Sequence, residues 1–481
     1  MLEDLKKERE LKRDALQKAG LNVYPAKVFR SHTIEEALNN FLELEKSQKE
    51  VSLAGRVIGK RGHGGVFFLD LSDENGKIQI VATKDKLANF DLLQNNLDIG
   101  DFVHVAGTVF VTQKGEKSTS ALKLEVIVKT LLPIPSERFG IQDTETRLRK
   151  RYLELMLDSE ARKIFIKKSK FWNEFRAILL KNGFLEVETP VLENIPGGAD
   201  TEPFATHLNS LDINLYLRIS LEIAQKKLLV GGFEKIFEIG RIFRNEGIDN
   251  EHLQDYTQLE FYWAYQDYIG LMKFVEKTYK TAIKKTLGDL KTQYQGKEIN
   301  WGIKWPKLEY FKLFKQYIGL DLNKVSTQEL FNAAAEKGFK PDPHLGKGRL
   351  IDLLFKKLVR PNLIQPAFLI NPPIDIEPLA KRSAKHPNKV ERFQVVACGT
   401  ELGKGFSEGN DPKDQRMRFL EQMQLRESGD KEAQRLDEDF LESLEYGMPP
   451  AAGFGISERL FSILVDRPVR ETVFFPLMRP K

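Results

Sequence analysis

Little in this 481-residue chain could cross-link it or anchor it. It has one cysteine, Cys398, which excludes an internal disulfide and any zinc site built from cysteines. The seven histidines are scattered without HExxH spacing, so a bound metal would have oxygen ligands. Nowhere do about eighteen uncharged apolar residues run together. The N-terminal MLEDLKKERELKRD reads as a charged helix rather than an apolar leader, and the expectation is a cytoplasmic protein with no membrane association. Phosphate-binding loops are missing too. No GxxxxGK[ST] occurs, since Gly403-Lys404-Gly405 lacks both the loop length and the hydroxyl, and no GxGxxG follows a strand.

What is present is length, apolar content and mixed charge. A chain of this size implies about two or three domains with a large core. The formal charge of +5 permits nucleic-acid binding without demanding it. Residues 1–48 alternate basic and acidic side chains, with Leu2, Leu5, Leu11 and Leu16 too sparse for an apolar stripe, and predict an exposed helical arm. Residues 49–135 change character. Five short runs rich in Val, Ile, Phe and Leu, from VSLAGRVIG to ALKLEVIVKTLLP, are separated by turns such as Gly62-His63-Gly64-Gly65 and Asp73-Glu74-Asn75-Gly76. Their spacing suggests a small closed Greek-key barrel of the OB type. Such barrels stack bases on aromatics over a basic surface, and Lys60, Arg61, Phe67, Phe68 and Gln79 offer that chemistry, although a barrel with a purely structural or protein-binding role has the same pattern. Pro133 and Pro135 close the module, and a charged linker is expected over 136–151.

From 152 to 481 helices alternate with strands, in an α+β pattern. Ala161 to Asn182 reads as a long amphipathic helix stopped at Gly183, followed by a strand that breaks at Pro190. The stretch from about 267 to 380 reads as a mostly helical insertion. The densest chemistry lies in Phe243-Arg244-Asn245-Glu246-Gly247, then His252, then Tyr256 to Tyr262. As a strand pair, this presents Arg244 and Glu246 of the first strand and Tyr256, Gln258, Glu260 and Tyr262 of the second on one face, with Leu259, Phe261 and Trp263 turned to a core. A salt-bridged strand pair would satisfy these groups, and so would a polar ligand.

These residues resemble the second signature motif of the class II aminoacyl-tRNA synthetases, in the bacterial lysyl form. The segments LRISLE, ELGKGFSE and ERL extend the resemblance over nearly the whole chain. It implies an antiparallel-sheet catalytic domain behind an anticodon-binding OB barrel, and a homodimer formed through the helix and strand before Pro190. ATP would lie on the sheet, held by arginines and magnesium. Arg244 would pair with the α-phosphate and Arg459 would reach the γ-phosphate, these two being the catalytic candidates. Glu246 would accept from the adenine amine, Tyr256 would stack on the ring and His252 would touch the terminal phosphates. Glu401 matches the magnesium carboxylate. Glu222, Glu260, Tyr262, Lys404, Phe406 and Glu408 match the lysine pocket, with Glu222 on the α-amino group. Arg61, Phe68 and Gln79 fall at anticodon-reading positions.

The chain departs from the family pattern at several places. Gln394 stands where a second metal-binding glutamate is usual, and Lys404 where an asparagine is usual. Lys123 replaces a common glutamate in the barrel, and the third motif, Gly453 to Arg459, is compressed. The resemblance implies ATP-dependent formation of lysyl-adenylate and its transfer to the 3′ end of tRNA(Lys). Two alternatives share the sequence features. A paralogue that lysylates a translation factor would lack the barrel, and an RNA-binding pseudo-synthetase would account for Gln394 and Lys404 but not for the retention of Arg244, Glu246, Glu401 and Arg459. Aspartate or asparagine specificity is disfavoured by Glu260 and Glu408.

Overall fold

The structure is a computed structural model, described for residues 2–135, 143–247, 252–343, 345–430 and 433–480. The chain divides into two compact units, 1–142 and 143–481. Of the expected linker, 136–142 lie outside the described residues, and the remainder is taken up by two short helices, Thr144–Arg149 and Arg151–Leu157. Among the described residues no helix is long and apolar enough to cross a membrane.

In the first unit five strands, β1 (Val51–His63), β2 (Val66–Ser72), β3 (Lys77–Thr83), β4 (Phe102–Val111) and β5 (Lys117–Val128), close into a barrel of order β1-β2-β3-β5-β4. Only β3 and β5 pair in parallel. Period-two alternation sends Phe67, Leu69 and Leu71 of β2 and Val103, Val105 and Val109 of β4 inward. Two of the expected RNA-facing residues therefore point the wrong way for that role. Phe67 is core, and Lys60 turns its ammonium onto the carbonyls of Gln94 and Leu97, both at 2.6 Å. Nor does the N-terminal segment stand off as an exposed arm. Helix α1 (Leu2–Lys18) buries Leu16, and its Arg9 donates to Thr130 Oγ1 at 2.7 Å. Val23, Ile34, Ala37 and Phe41 then join the barrel core, from loops and short helices whose apolar residues make no single stripe.

The second unit is built on an eight-stranded sheet. Its strands are β6 (Leu185–Glu186), β7 (Lys235–Phe243), β8 (Asp255–Ala264), β9 (Lys307–Glu309), β10 (Ala367–Ile370), β11 (Arg392–Ala397), β12 (Thr400–Ser407) and β13 (Ala451–Ser457). They lie in the order β9-β10-β11-β12-β13-β8-β7-β6, antiparallel through the centre and parallel only at the two edge pairs. One face is covered by α2 (Ser159–Lys181) and α4 (Tyr268–Leu287); a shorter helix, α3 (Glu222–Val230), lies between them in sequence. Asp158 caps α2 by accepting from the Glu160 N–H at 2.8 Å, and the helix ends where Gly183 takes φ +81°, a conformation that favours glycine. Phe171, Phe175 and Leu179 of α2 pack with Phe237, Leu259, Phe261, Phe393 and Phe454 of the sheet. The stretch from 267 to 380 is less helical than its composition suggests. Besides helices it holds the hairpin Lys291–Asn300 and two strands, β9 and β10, of the main sheet.

A buried ion cluster closes the seam of the barrel. Lys129 has a fully buried side chain, and its Nζ lies 2.5 Å from Asp98 and 2.7 Å from Asp101. Asp101, also fully buried, further accepts from the Thr130 N–H at 2.8 Å and Oγ1 at 2.9 Å. Removing the cation alone strands the carboxylate, which typically costs about 3–5 kcal/mol. Lys129→Met is therefore expected to destabilise the barrel by about that amount in denaturant unfolding of the full chain, and a loss under about 1 kcal/mol would contradict this account of the seam.

Candidate active site

The sheet face opposite α2 and α4 is the floor of a cavity of about 890 Å³. Register explains which side chains reach it. Glu260 and Lys404 both stand opposite Gly455, and Tyr262 and Phe406 both stand opposite Gly453. The central strand β13 thus contributes almost no side chain, and its neighbours lean over it. A Cβ on Gly453 would run into the Tyr262 ring and lie 2.5 Å from Glu408 Oε1, so glycine is required there by close approach.

At one end of the cavity are the groups expected for the nucleotide. Arg244, Glu246, His252, Tyr256 and Arg459 all line it. The strand expected to carry Arg244 and Glu246 stops at Phe243. Arg244 N–H still bonds the Gln254 carbonyl at 2.7 Å, but the next amide turns away to the Glu202 carbonyl at 2.9 Å, which draws the chain off the ladder. The Arg244 guanidinium lies 5.7 Å from the Tyr256 ring centroid, within cation–π range. Burial pushes the Tyr256 phenol up. Glu246 is anchored by Thr201 Oγ1, which donates at 2.5 Å. Arg459 begins helix α5 (Arg459–Leu464), and the preceding Glu458 locks that corner, accepting from Thr257 N–H at 2.7 Å and ion-pairing with Lys168 of α2.

Glu401 and Gln394 also face the cavity. A β-bulge at the β11–β12 pairing, where Val395 pairs Gly403 and Val396 pairs Glu401, re-aims the strand so that Glu401 joins Lys404 and Phe406 on one face. Gln394 donates its amide to a Glu401 oxygen, which leaves the Gln394 carbonyl and the carboxylate as hard oxygen donors. Such a pair fits a magnesium ion that brings phosphate oxygens and water as its other ligands. No group of three or more His, Cys, Asp or Glu among the described residues could hold a metal by itself.

The other end is acidic and buried. Glu260 is 4 % exposed and accepts from Ser220 Oγ at 2.9 Å, Tyr262 OH at 3.0 Å and the Gln258 amide. Burial, reinforced by Glu222, pushes its carboxyl up. Glu222, at the start of α3, ion-pairs with Lys226 at 2.5 Å, and Lys226 reaches Glu408 at 2.6 Å. Of the residues expected around the amino acid, Glu222, Glu260, Tyr262, Lys404 and Phe406 line the cavity, whereas Glu408 lies behind its wall. Burial pushes the Glu408 carboxyl up to about 8, against the pull of Lys226. Lys404 does not aim at these acids. Its ammonium sits 3.2 Å from Glu377, which also holds Arg392 at 3.3 Å. Burial alone would raise the Glu377 carboxyl, but the two cations outweigh it and hold it low.

In the barrel, Arg61, Phe68 and Gln79 share an outer face, because Arg61 pairs Phe68 and Asp70 pairs Gln79. Arg61 lies 5.7 Å from the Phe68 ring and 3.0 Å from Asp70, and Gln79 accepts from Ser118 Oγ at 2.9 Å. Three residues of this region escaped the sequence reading: Lys226, Glu377 and Arg392. Lys226 left a signal, since it follows Glu222 by one helical turn. Glu377 left none, because only the fold brings it to Lys404. The wall itself is testable: Gly453→Ala forces a methyl into Tyr262 and Glu408 and is expected to cost about 1–3 kcal/mol in denaturant unfolding, with an unchanged midpoint contradicting the close packing.

Comparison with known proteins agrees with this arrangement. Residues 143–479 match the family described as tRNA synthetases class II (D, K and N), and residues 51–133 match an OB-fold nucleic acid binding domain. A lysine–tRNA ligase of Moorella thermoacetica is 43% identical over 99% of this chain and 98% of its own length. One from Carboxydothermus hydrogenoformans is 43% identical over 100% and 99%, and one from Pelotomaculum thermopropionicum 41% over 100% and 96%. With the family match covering the whole sheet domain and relatives aligned end to end, the chain belongs to the class II tRNA synthetases of the D, K and N group.

Proposed function

We propose that the protein activates L-lysine with ATP to lysyl-adenylate and transfers the lysyl group to the 3′ end of tRNA(Lys). The observation that carries this reading is a single cavity with two opposed characters. Arg244 and Arg459 stand at one end, and the buried carboxylates Glu222 and Glu260 at the other. The first suits a triphosphate and the second a substrate with two ammonium groups.

In the first step a carboxylate oxygen of lysine attacks the α-phosphorus as the bond to pyrophosphate breaks. The nucleophile is already an anion, so no side-chain base is needed, and the work is positioning and charge neutralisation. Arg244 matches α-phosphate oxygens with its planar guanidinium and is steadied by Tyr256, on which adenine also stacks. Glu246 accepts from the adenine amine, and His252 and Arg459 receive the terminal phosphates. Glu401 and the Gln394 carbonyl would hold magnesium, whose charge offsets that of the triphosphate. Glu222 takes the α-ammonium, Glu260 with Tyr262 the side-chain ammonium, and Phe406 covers the stem. The Lys404–Arg392 pair is one positive charge in excess over Glu377, and this suits the substrate carboxylate rather than its ammonium. A neutral side chain would leave Glu260 desolvated and unpaired, a cost of about 1–3 kcal/mol or more. In the second step the terminal ribose hydroxyl attacks the adenylate carbonyl and AMP leaves.

We assign Arg61, Phe68 and Gln79 of the barrel to the anticodon, as an aromatic platform with a neighbouring cation and an amide. We infer a homodimer through the segment around Pro190, where Leu185, Val191 and Leu192 are exposed together with Leu180 of α2. Cytoplasm is the matching location. The test of the assignment is Arg244→Ala, expected to lower lysine-dependent ATP–pyrophosphate exchange by about 100-fold or more while the dimer survives in sedimentation. Retained exchange in that variant would overturn it.

A further inference from the structure

Lys226 is a charged group beside the site to which lysine activation assigns no role. Its side chain is wholly buried, yet it carries an ammonium between two carboxylates, 2.5 Å from Glu222 and 2.6 Å from Glu408. The same ammonium lies 5.3 Å from the Phe406 ring and 5.9 Å from that of Phe440. A buried cation is retained only where its partners repay the lost hydration. Here the partners are residues of the amino-acid pocket. Glu222 lines the cavity and Glu408 abuts its wall at Tyr262 and Gly453.

We propose that Lys226 is a positioning residue for substrate selection, whose ammonium fixes Glu222 and Glu408 in place and draws Glu408 toward its charged form, so that the pocket is set to receive an incoming ammonium group. The inference rests on the lysine-activating reading and deepens it.

Geometry supports it. Glu222, Glu260 and Glu408 are three buried carboxyls gathered at one end of the site, and Lys226 is the cation that bridges two of them. Glu408 forms its ion pair with Lys226 alone among the described residues, and neither of its oxygens accepts a hydrogen bond of good geometry. Without the ammonium it loses that ion pair, which is what favours its charged form. Burial opposes the charge of Lys226, but Glu222 and Glu408 outweigh it and push its ammonium up. The other charged or titratable groups facing this cluster are Glu260 and Tyr262 from β8 and, beyond them, Glu377 with its partners Lys404 and Arg392. Glu222 and Glu377 are acids, so they add to the tendency of Glu408 to take up a proton once Lys226 is gone.

The experiment is the pH dependence of the lysine KM in ATP–pyrophosphate exchange, with the ATP KM measured alongside. Loss of a neighbouring cation raises a carboxyl pKa, so the rise in lysine KM on acidification must begin at higher pH. In Lys226→Met and in Lys226→Gln we expect that limb to move up by about one pH unit or more, the size of effect an adjacent opposite charge has on a carboxyl. The ATP KM should stay as in the unaltered protein, and Lys226→Arg, which keeps the charge, should restore the original limb. Adding Glu408→Gln to Lys226→Met should bring the limb back down, because one of the carboxylates competing for charge is then neutral. A limb that does not move, or equal increases in both KM values without a shift, would reduce Lys226 to packing and overturn the proposal. The functional reading fails separately: it falls if the unaltered protein shows no lysine-dependent exchange at any pH.

Discussion

Ionised groups held out of water on one face of a sheet are tolerable only where each finds an opposite charge, and the second unit is organised around meeting that condition. Glu222 and Glu408 meet it through Lys226, and Glu377 through Lys404 and Arg392. Glu260 does not meet it and has neutral donors instead, Ser220, Tyr262 and Gln258. The group left with hydrogen bonds but no counter-charge is thus the one at which a cationic substrate gains most. The barrel follows the same rule at its seam with Lys129 and Asp101, where the pairing is closed and serves stability alone.

What makes such crowding possible is the glycine-lined cavity face of β13. Gly453 and Gly455 let Tyr262, Glu260, Phe406 and Lys404 converge from the flanking strands over a bare backbone. The opposite face of the same strands is filled by Phe261, Phe454 and Phe393, packed against α2 and α4. One face supplies the apolar burial that stabilises the sheet, and the other can then hold groups that destabilise it. The corner at Glu458, tied to Lys168 and Thr257, transmits that rigidity to Arg459.

Much of this was legible in the chain because it depends on period two. The alternation from Tyr256 to Tyr262 correctly separates cavity from core, and the five barrel strands follow their turns. The failures have physical causes. Lys60 and Phe67 carry the right chemistry but fall on the inward phase of their strands. Arg244 leaves the ladder because a distant carbonyl, that of Glu202, captures the next amide. Glu401 reaches the cavity by a bulge that no residue pattern announces. Lys404, which stands where an asparagine is usual, is held by Glu377 beside Arg392, and that contact spans a crossover no local reading could close. The N-terminal segment hid its packing for a related reason, since Leu16, Ile34 and Phe41 dock from separate short pieces.

The central claim is that this cavity joins ATP chemistry to a substrate carrying two ammonium groups. Amino-acid-dependent ATP–pyrophosphate exchange, run with each of the twenty amino acids in parallel, tests it most directly. The account predicts strong exchange with lysine and none with neutral or acidic amino acids. Exchange driven by aspartate or asparagine, or no exchange with any amino acid, would contradict it.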